Sequence, residues 1–403
     1  MWIPRDLAPV LRRPSMPARI LVGPRQAGKS SLLARVVPDA VWISLDDLQA
    51  RQRAQSDPSL LLESSGVSAG RSLILDEAAQ APNLFPEIKR RIDDARRRGQ
   101  REPDLWITGS NRLLLDRHVR ESLAGRASYF FLHTLSVAEL GERAALADWF
   151  LRGGFPELYV RPELDPSRYL DDYVRTFVEK DVAASAGILQ TESFLRALHL
   201  LAARTGTLLN ATDVGQLAGV KGQTISGWLD LLQQNALVLR LQPYHANLNK
   251  RVVRTPKIYF LDVGIAVRLQ GWRAIDPLLA SPQAGPLFET LVLGELIRTR
   301  DHRGLPLTLY FWRTRDGEEV DFLVELQTAG GPRWIALEAK FAIQNVVPLF
   351  VPRALSTQLP ALHEIWIVTP GGDETRLSAS SRQVPIQRLA QRLSDEAAAI
   401  PAA

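Results

Sequence analysis

The sequence predicts an α/β chain that begins with a parallel sheet and ends in a second, smaller α/β domain. Two observations carry this. The apolar runs "ARILVGP", "VWISLD", "SLILDE", "LWITGS" and "SYFFLH" alternate with helical segments, the pattern of a parallel sheet covered on both faces. Further on, "LTLYFWRTRDGEEVDFLVEL" and "RWIALEAKFA" read as three strands, the first two joined by a hairpin turn at Asp316-Gly317. At 403 residues the chain is too long for one ordinary core. The expected division is an α/β core over 1–145, a helical lid or linker over 146–189, a helix-rich module over 190–272 and an α/β domain over 280–403.

Composition narrows the class. The chain is 46% hydrophobic and 23% charged, in the range of soluble globular proteins. No apolar run approaches the ~20 residues that cross a bilayer, and "MWIPRDLAPVLRRPS" lacks the apolar segment of a secretory signal. The absence of Cys excludes disulfides, thiolate metal sites and Cys nucleophiles. A cytoplasmic protein without a membrane partner is expected. The net charge of +5 permits a polyanionic partner without demanding one. Of 49 Lys and Arg, only seven are Lys.

The first element is "RILVGPRQAGKSSLL": a strand, a glycine loop and a helix start. Gly23, Pro24, Arg25, Gln26, Ala27, Gly28, Lys29 and Ser30 spell G-x-x-x-x-G-K-S, with Ser31 following. Backbone N–H groups of such a loop wrap a β-phosphate, Lys29 reaches the β/γ oxygens and Ser30 ligates Mg²⁺. The substrate is then ATP and the cofactor Mg²⁺. The strand "SLILD" ends in Asp76, placed to hold the metal, and Glu77, placed to polarise the attacking water. A third strand, "LWITGSN", is expected between these two, with Ser110 and Asn111 at its end to sense the γ-phosphate.

The arrangement resembles the AAA+ and related STAND ATPases. More narrowly, it is similar to the prokaryotic "ATP-binding protein" family that joins an AAA-type ATPase to a C-terminal region called DUF4143. "GPRQAGKSSLL", "LILDEAA", "ITGSN", "SLAGRA" and "RGGFPE" carry the likeness over roughly the first 160 positions. The resemblance implies that Arg126 is an arginine finger given to a neighbouring subunit, with Arg120 and Arg117 as rivals. It thereby implies a homo-oligomer, with a hexamer as the candidate size. The alternative is a structural Arg paired with Glu121 or Glu139. Gly153-Gly154 reads as a turn, and Arg152 as a candidate second nucleotide sensor. Seven cations between Lys89 and Arg101 read as a solvated helix face or a DNA-facing patch.

From about residue 190 the reading is a winged helix. A second helix capped by Asn210 or Thr212 ends at Gly219. A third, after Gly222, carries Ile225, Trp228, Leu229 and Leu232 on one face. "ALVLRLQPY" and "KIYFLD" then form a hairpin. Gln223, Thr224 and Ser226 face outward where a groove-reading helix puts its contacts. Lys221, Lys250 and Lys257 group with Arg251 and Arg254, so DNA is the expected partner. "RTPKIYFLDVG" matches the family signature but supplies no chemistry.

In the last domain, Glu289 lies on the helix "GPLFETLVLGELIRTR", Asp321 on the second strand, and Glu338 and Lys340 on one face of the third. Converging carboxylates repel unless a divalent cation sits between them, so Glu289, Asp321 and Glu338 are candidate metal ligands. Lys340 would orient or activate a water at a scissile phosphate. The pattern resembles the PD-(D/E)xK nuclease superfamily, which includes restriction enzymes and archaeal Holliday junction resolvases. Val320 stands where many members have Pro. The expected function is an ATP-hydrolysing oligomer acting on DNA, in repair or recombination and on branched DNA such as a Holliday junction. The alternatives are a metal-dependent nuclease and a STAND-like switch.

Overall fold

The computed structural model describes residues 2–67, 70–109, 112–177, 190–244, 255–341, 346–362 and 364–398. They divide into two compact units, one spanning Pro4–Thr134 and the other made of residues 2–3 and the chain from Leu135 onward.

The first unit is built on five strands: β1 (Ala18–Val22), β2 (Val41–Ser44), β3 (Ser72–Asp76), β4 (Asp104–Gly109) and β5 (Ala127–Phe131), in the order β2-β3-β4-β1-β5. Every pairing is parallel. β4 lies between β1 and β3, as expected for the strand whose end faces both motifs. Ile20, Val22, Leu73, Leu75, Leu105 and Ile107 form the core of the sheet and are all buried. On helix Leu84–Arg97, Leu84, Phe85, Ile88, Ile92 and Ala95 are buried at helical spacing. The cationic run on the same helix is largely neutralised by its own acids. Arg90 reaches Glu87 at 2.6 Å and Asp94 at 2.8 Å, Arg91 reaches Glu87 at 2.9 Å, Arg96 pairs with Glu102 and Arg97 with Asp94. This is the solvated-face reading of that segment, and it weakens the DNA-patch reading.

In the second unit, helix Thr191–Ala202 is followed by helices Ala211–Ala218 and Gly222–Gln234. Asn210 caps the second helix by accepting from the Asp213 N–H at 3.0 Å, and Gly219 closes it in the left-handed conformation. Ile225, Trp228, Leu229 and Leu232 are buried, as their spacing requires. Against these helices stand β6 (Thr207–Leu208), β7 (Val238–Leu241) and β8 (Lys257–Phe260), an antiparallel sheet with β8 in the centre.

The "RGG" and "FLDVG" stretches meet in this unit. A Cβ on Gly153 would lie 2.0 Å from Asp262 Oδ1, and one on Gly264 would lie 2.5 Å from the Gly153 nitrogen. Asp262 accepts from the Gly154 and Gly264 N–H groups, both at 3.0 Å. The glycines are there for close backbone approach. Arg152 donates to the Leu158 carbonyl at 2.6 Å and pairs with Asp148, which ties down its own helix end.

The C-terminal part is a six-stranded mixed sheet of β9 (Leu307–Arg313), β10 (Glu319–Thr328), β11 (Gly331–Ala339), β12 (Ile365–Thr369), β13 (Thr375–Arg376) and β14 (Ser381–Pro385). β9, β10 and β11 are antiparallel, whereas β12 joins β11 and β14 in parallel. Helix Ala284–Arg303 buries Phe288, Leu291, Val292 and Leu296, and with them the whole of Glu295. Glu295 accepts from the Val137 and Ala138 N–H groups at 2.8 and 3.3 Å.

Burial lifts the Glu295 carboxyl from its ordinary 4.5 to about 7, against the pull of those N–H groups and Arg298. Between these values the folded chain keeps a proton that the unfolded chain has released, so stability falls as pH rises through the window. The gap is worth roughly 3 kcal/mol. Glu295→Gln is expected to flatten the fall in melting temperature between about pH 5 and 7. Thermal melts of both proteins check this.

Candidate functional site

The phosphate loop follows β1. Gln26 and Gly28 both take left-handed φ values, 61° and 92°, and Gly28 caps the helix Lys29–Val36. A Cβ on Gly23 would stand 1.9 Å from the Leu132 carbonyl oxygen, so only glycine fits there. The Lys29 ammonium donates to the Gly23 and Pro24 carbonyls, both at 2.9 Å, which holds it over the loop. Ser30 Oγ donates to Asp76 Oδ2 at 3.3 Å, bringing together the hydroxyl and carboxylate that a hard cation takes as oxygen ligands. Burial raises the Asp76 carboxyl above its usual range, and the Glu77 charge adds to the effect. Glu77 follows at φ 53°, a left-handed backbone in a non-glycine residue. Such strain is characteristic of functional positions. Loop, hydroxyl and carboxylates therefore fit a nucleotide with Mg²⁺.

Sequence reasoning missed Arg5. It is buried and donates to the Ala27 and His133 carbonyls, both at 2.7 Å, bracing the loop. Nothing in its flanking sequence marks it. Ser110 and Asn111 lie outside the described residues, as do Lys250, Arg251 and Arg254. Arg126 pairs bidentately with Asp93, Nε to Oδ1 at 2.6 Å and Nη2 to Oδ2 at 3.0 Å. The sequence reading did not name that partner.

The second site is a cavity of about 670 Å³ lined by Lys257, Glu289, Glu319, Asp321, Glu338 and Lys340, with Arg313 at its edge. The expected quartet of Glu289, Asp321, Glu338 and Lys340 is gathered in one place. The backbone explains how. β10 pairs with β11 through Phe322 and Leu337, which sets Asp321 beside Glu338. A register shift in the pairing of β10 with β9 between Val320 and Leu323 falls on Asp321. Asp321 Oδ2 accepts from the Ala339 N–H at 2.9 Å, and Lys340 Nζ donates to Glu338 at 2.9 Å. Burial, followed by the charges of Glu289 and Glu338, lifts Asp321 well above the usual carboxylate range.

A lysine reaches into the expected metal site. Lys257 on β8 is buried; its ammonium donates to Glu289 Oε1 at 2.9 Å and also pairs with Glu319. Tyr259, two residues on, donates its hydroxyl to the same Glu289 oxygen. Arg313 reaches the other Glu319 oxygen at 2.9 Å. Among the described residues, no three His, Asp or Glu side chains are arranged to hold a metal ion. Buried and paired, Lys257 is not exposed to a DNA partner. "RTPKIYFLDVG" thus supplies one side chain of the pocket, Lys257, and a second, Tyr259, that bonds to its Glu289. The signal was the rarity of lysine itself, since Lys257 is one of only seven.

Comparison with known proteins divides the chain into family segments. Residues 15–141 match an AAA domain, 143–276 a domain of unknown function (DUF8612) and 284–389 a domain of unknown function (DUF4143). The chain is 33% identical over 396 residues to the uncharacterized proteins Rv2008c of Mycobacterium tuberculosis and Mb2031c of Mycobacterium bovis, covering 96% of this chain and 84% of each relative. It belongs to the AAA–DUF4143 family of ATP-binding proteins. Among solved structures it is similar to the Walker-type ATPase PABY2304 of Pyrococcus abyssi, at 17% identity and a TM-score of 0.42, over 66% of this chain and 93% of that one. In this AAA–DUF4143 protein the loop Gly23–Ser30 falls inside the AAA match, and Glu289, Asp321, Glu338 and Lys340 fall inside the DUF4143 match. Lys257 comes from the middle domain, so the pocket is assembled from two family segments. No helix among the described residues is long and apolar enough to cross a membrane.

Proposed function

We propose that this AAA–DUF4143 protein hydrolyses ATP at the loop Gly23–Ser30 and couples turnover to a contact with DNA. The observation that carries the hydrolytic part is the approach of Ser30 to Asp76, with Lys29 held over the loop and Glu77 at the end of the same strand. The backbone N–H groups of the loop and Lys29 bind and orient the β- and γ-phosphates. Mg²⁺, when bound, neutralises charge developing on the transferred phosphoryl group. Glu77 positions the water and takes its proton. Arg126 is assigned to a neighbouring subunit's nucleotide in a homo-oligomer. Asp93 keeps it extended by a bidentate pair that it must release to serve there.

The DNA contact is assigned to helix Gly222–Gln234, read as the recognition helix of a winged helix. Lys221, Gln223 and Ser226 are exposed at its start, and a three-stranded sheet flanks it. A role in repair or recombination, with branched DNA as substrate, extends this by fold analogy alone. Cleavage by the C-terminal pocket is not favoured, because Lys257 already engages Glu289 and Glu319 there. The test is ATP turnover without DNA, with linear duplex and with a four-way junction, at fixed salt because phosphate contacts are salt-dependent. Stimulation by DNA that Lys221→Glu reduces is expected. Equal turnover in all three conditions would sink the DNA contact and leave an ATP-driven switch.

A further inference from the structure

The carboxylate pocket invites a comparison between what a metal site needs and what is there. A divalent cation requires several carboxylate oxygens free to point at one centre. Here Glu289 Oε1 already accepts from both Lys257 and Tyr259, Glu319 accepts from Lys257 and Arg313, and Glu338 accepts from Lys340. The Lys257 ammonium is enclosed as well as paired. It lies 5.6 Å from the ring centre of Phe311 and 6.0 Å from that of Tyr259, within reach of cation–π attraction. Its side chain is 3% exposed, so its desolvation must be offset by these contacts. An ammonium this enclosed is a fixed part of the fold.

We propose that Lys257 is a built-in cation that replaces a divalent metal in this pocket, so that Glu289 and Glu319 fasten β8 to the last domain and the carboxylates beside them do not cut a phosphodiester. Glu289 comes from helix Ala284–Arg303 and Glu319 from β10, so one lysine gathers two elements of the last domain onto the middle one. Lys340, whose side chain is 49% exposed, trims the remaining charge at the rim. The proposal does not depend on the ATPase reading.

The test is a gain of metal binding. In thermal melts with and without millimolar Mn²⁺, the wild-type protein is expected to show no shift. Lys257→Ala vacates the cation position, lowers the melting temperature and should then be raised by Mn²⁺ by a few degrees. Lys257→Ala/Asp321→Asn should lose that response. A folded Lys257→Ala protein indifferent to Mn²⁺ would overturn the proposal. Should Lys257→Ala fail to fold, Mn²⁺ electron paramagnetic resonance on the wild type decides. No bound Mn²⁺ sensitive to Glu338→Gln supports the lysine as the cation; stoichiometric Mn²⁺ that Glu338→Gln releases refutes it.

Discussion

Lys29→Ala is expected to lower ATP turnover by ~10²–10³-fold or more, the usual effect of deleting one preorganised group that meets developing charge. The substitution should leave the fold intact. Lys29 is the first residue of the helix Lys29–Val36, where Ala is at least as good a helix former, and its ammonium donates to two loop carbonyls. Lys29→Arg should fail as well. The Gly23 and Pro24 carbonyls hold a compact ammonium close to the loop, and a planar guanidinium does not fit the same space. Phosphate release, with circular dichroism as the control for folding, separates lost chemistry from lost structure.

Lys257→Met carries the largest expected effect on stability. Removing one partner of a buried ion pair leaves the others uncompensated, at a cost of about 3–5 kcal/mol. Here the remaining groups are Glu289 and Glu319, both facing the vacated position. Lys340→Ala should cost far less, roughly 0–1 kcal/mol, because that side chain is half exposed and its pair is screened. Pairing Lys257→Met with Glu289→Gln should recover part of the loss, since it removes one orphaned charge. Denaturant unfolding of the four proteins in a double-mutant cycle measures the coupling.

The parts of this account that were legible in the sequence share a physical trait: they depend on residues close together in the chain. The glycine loop and the helix after it, the carboxylates ending β3, the Asn210 cap, the Gly219 stop and the buried stripe Ile225–Trp228–Leu229–Leu232 follow from local geometry and helical period. The convergence of Asp321 with Glu338 was legible too, because neighbouring antiparallel strands fix their register over a short connection.

Pairings across long stretches of chain were not legible. Lys257 reaches Glu289 and Glu319 through the packing of β8 against the last domain, and no periodicity announces which of several lysines will do so. Arg126 finds Asp93, 33 positions earlier, and Arg5 reaches His133, 128 positions later. The cationic run from Lys89 to Arg101 read as a solvated helix face or a DNA-facing patch, and sequence alone did not show that Glu87, Asp94 and Glu102 engage it. Charge counted along a sequence overstates charge presented to a partner.

The central claim is that the loop Gly23–Ser30 with Asp76 and Glu77 forms a hydrolytic ATP site, and a comparison of the wild type with Glu77→Gln tests it most directly. Each protein is incubated with ATP and Mg²⁺, and bound nucleotide and released phosphate are measured on the same sample. The expected result is ATP bound by both proteins and phosphate released only by the wild type, because Glu77 acts on the water and not on the nucleotide. Failure of both proteins to bind ATP, or equal phosphate release from both, would contradict the account.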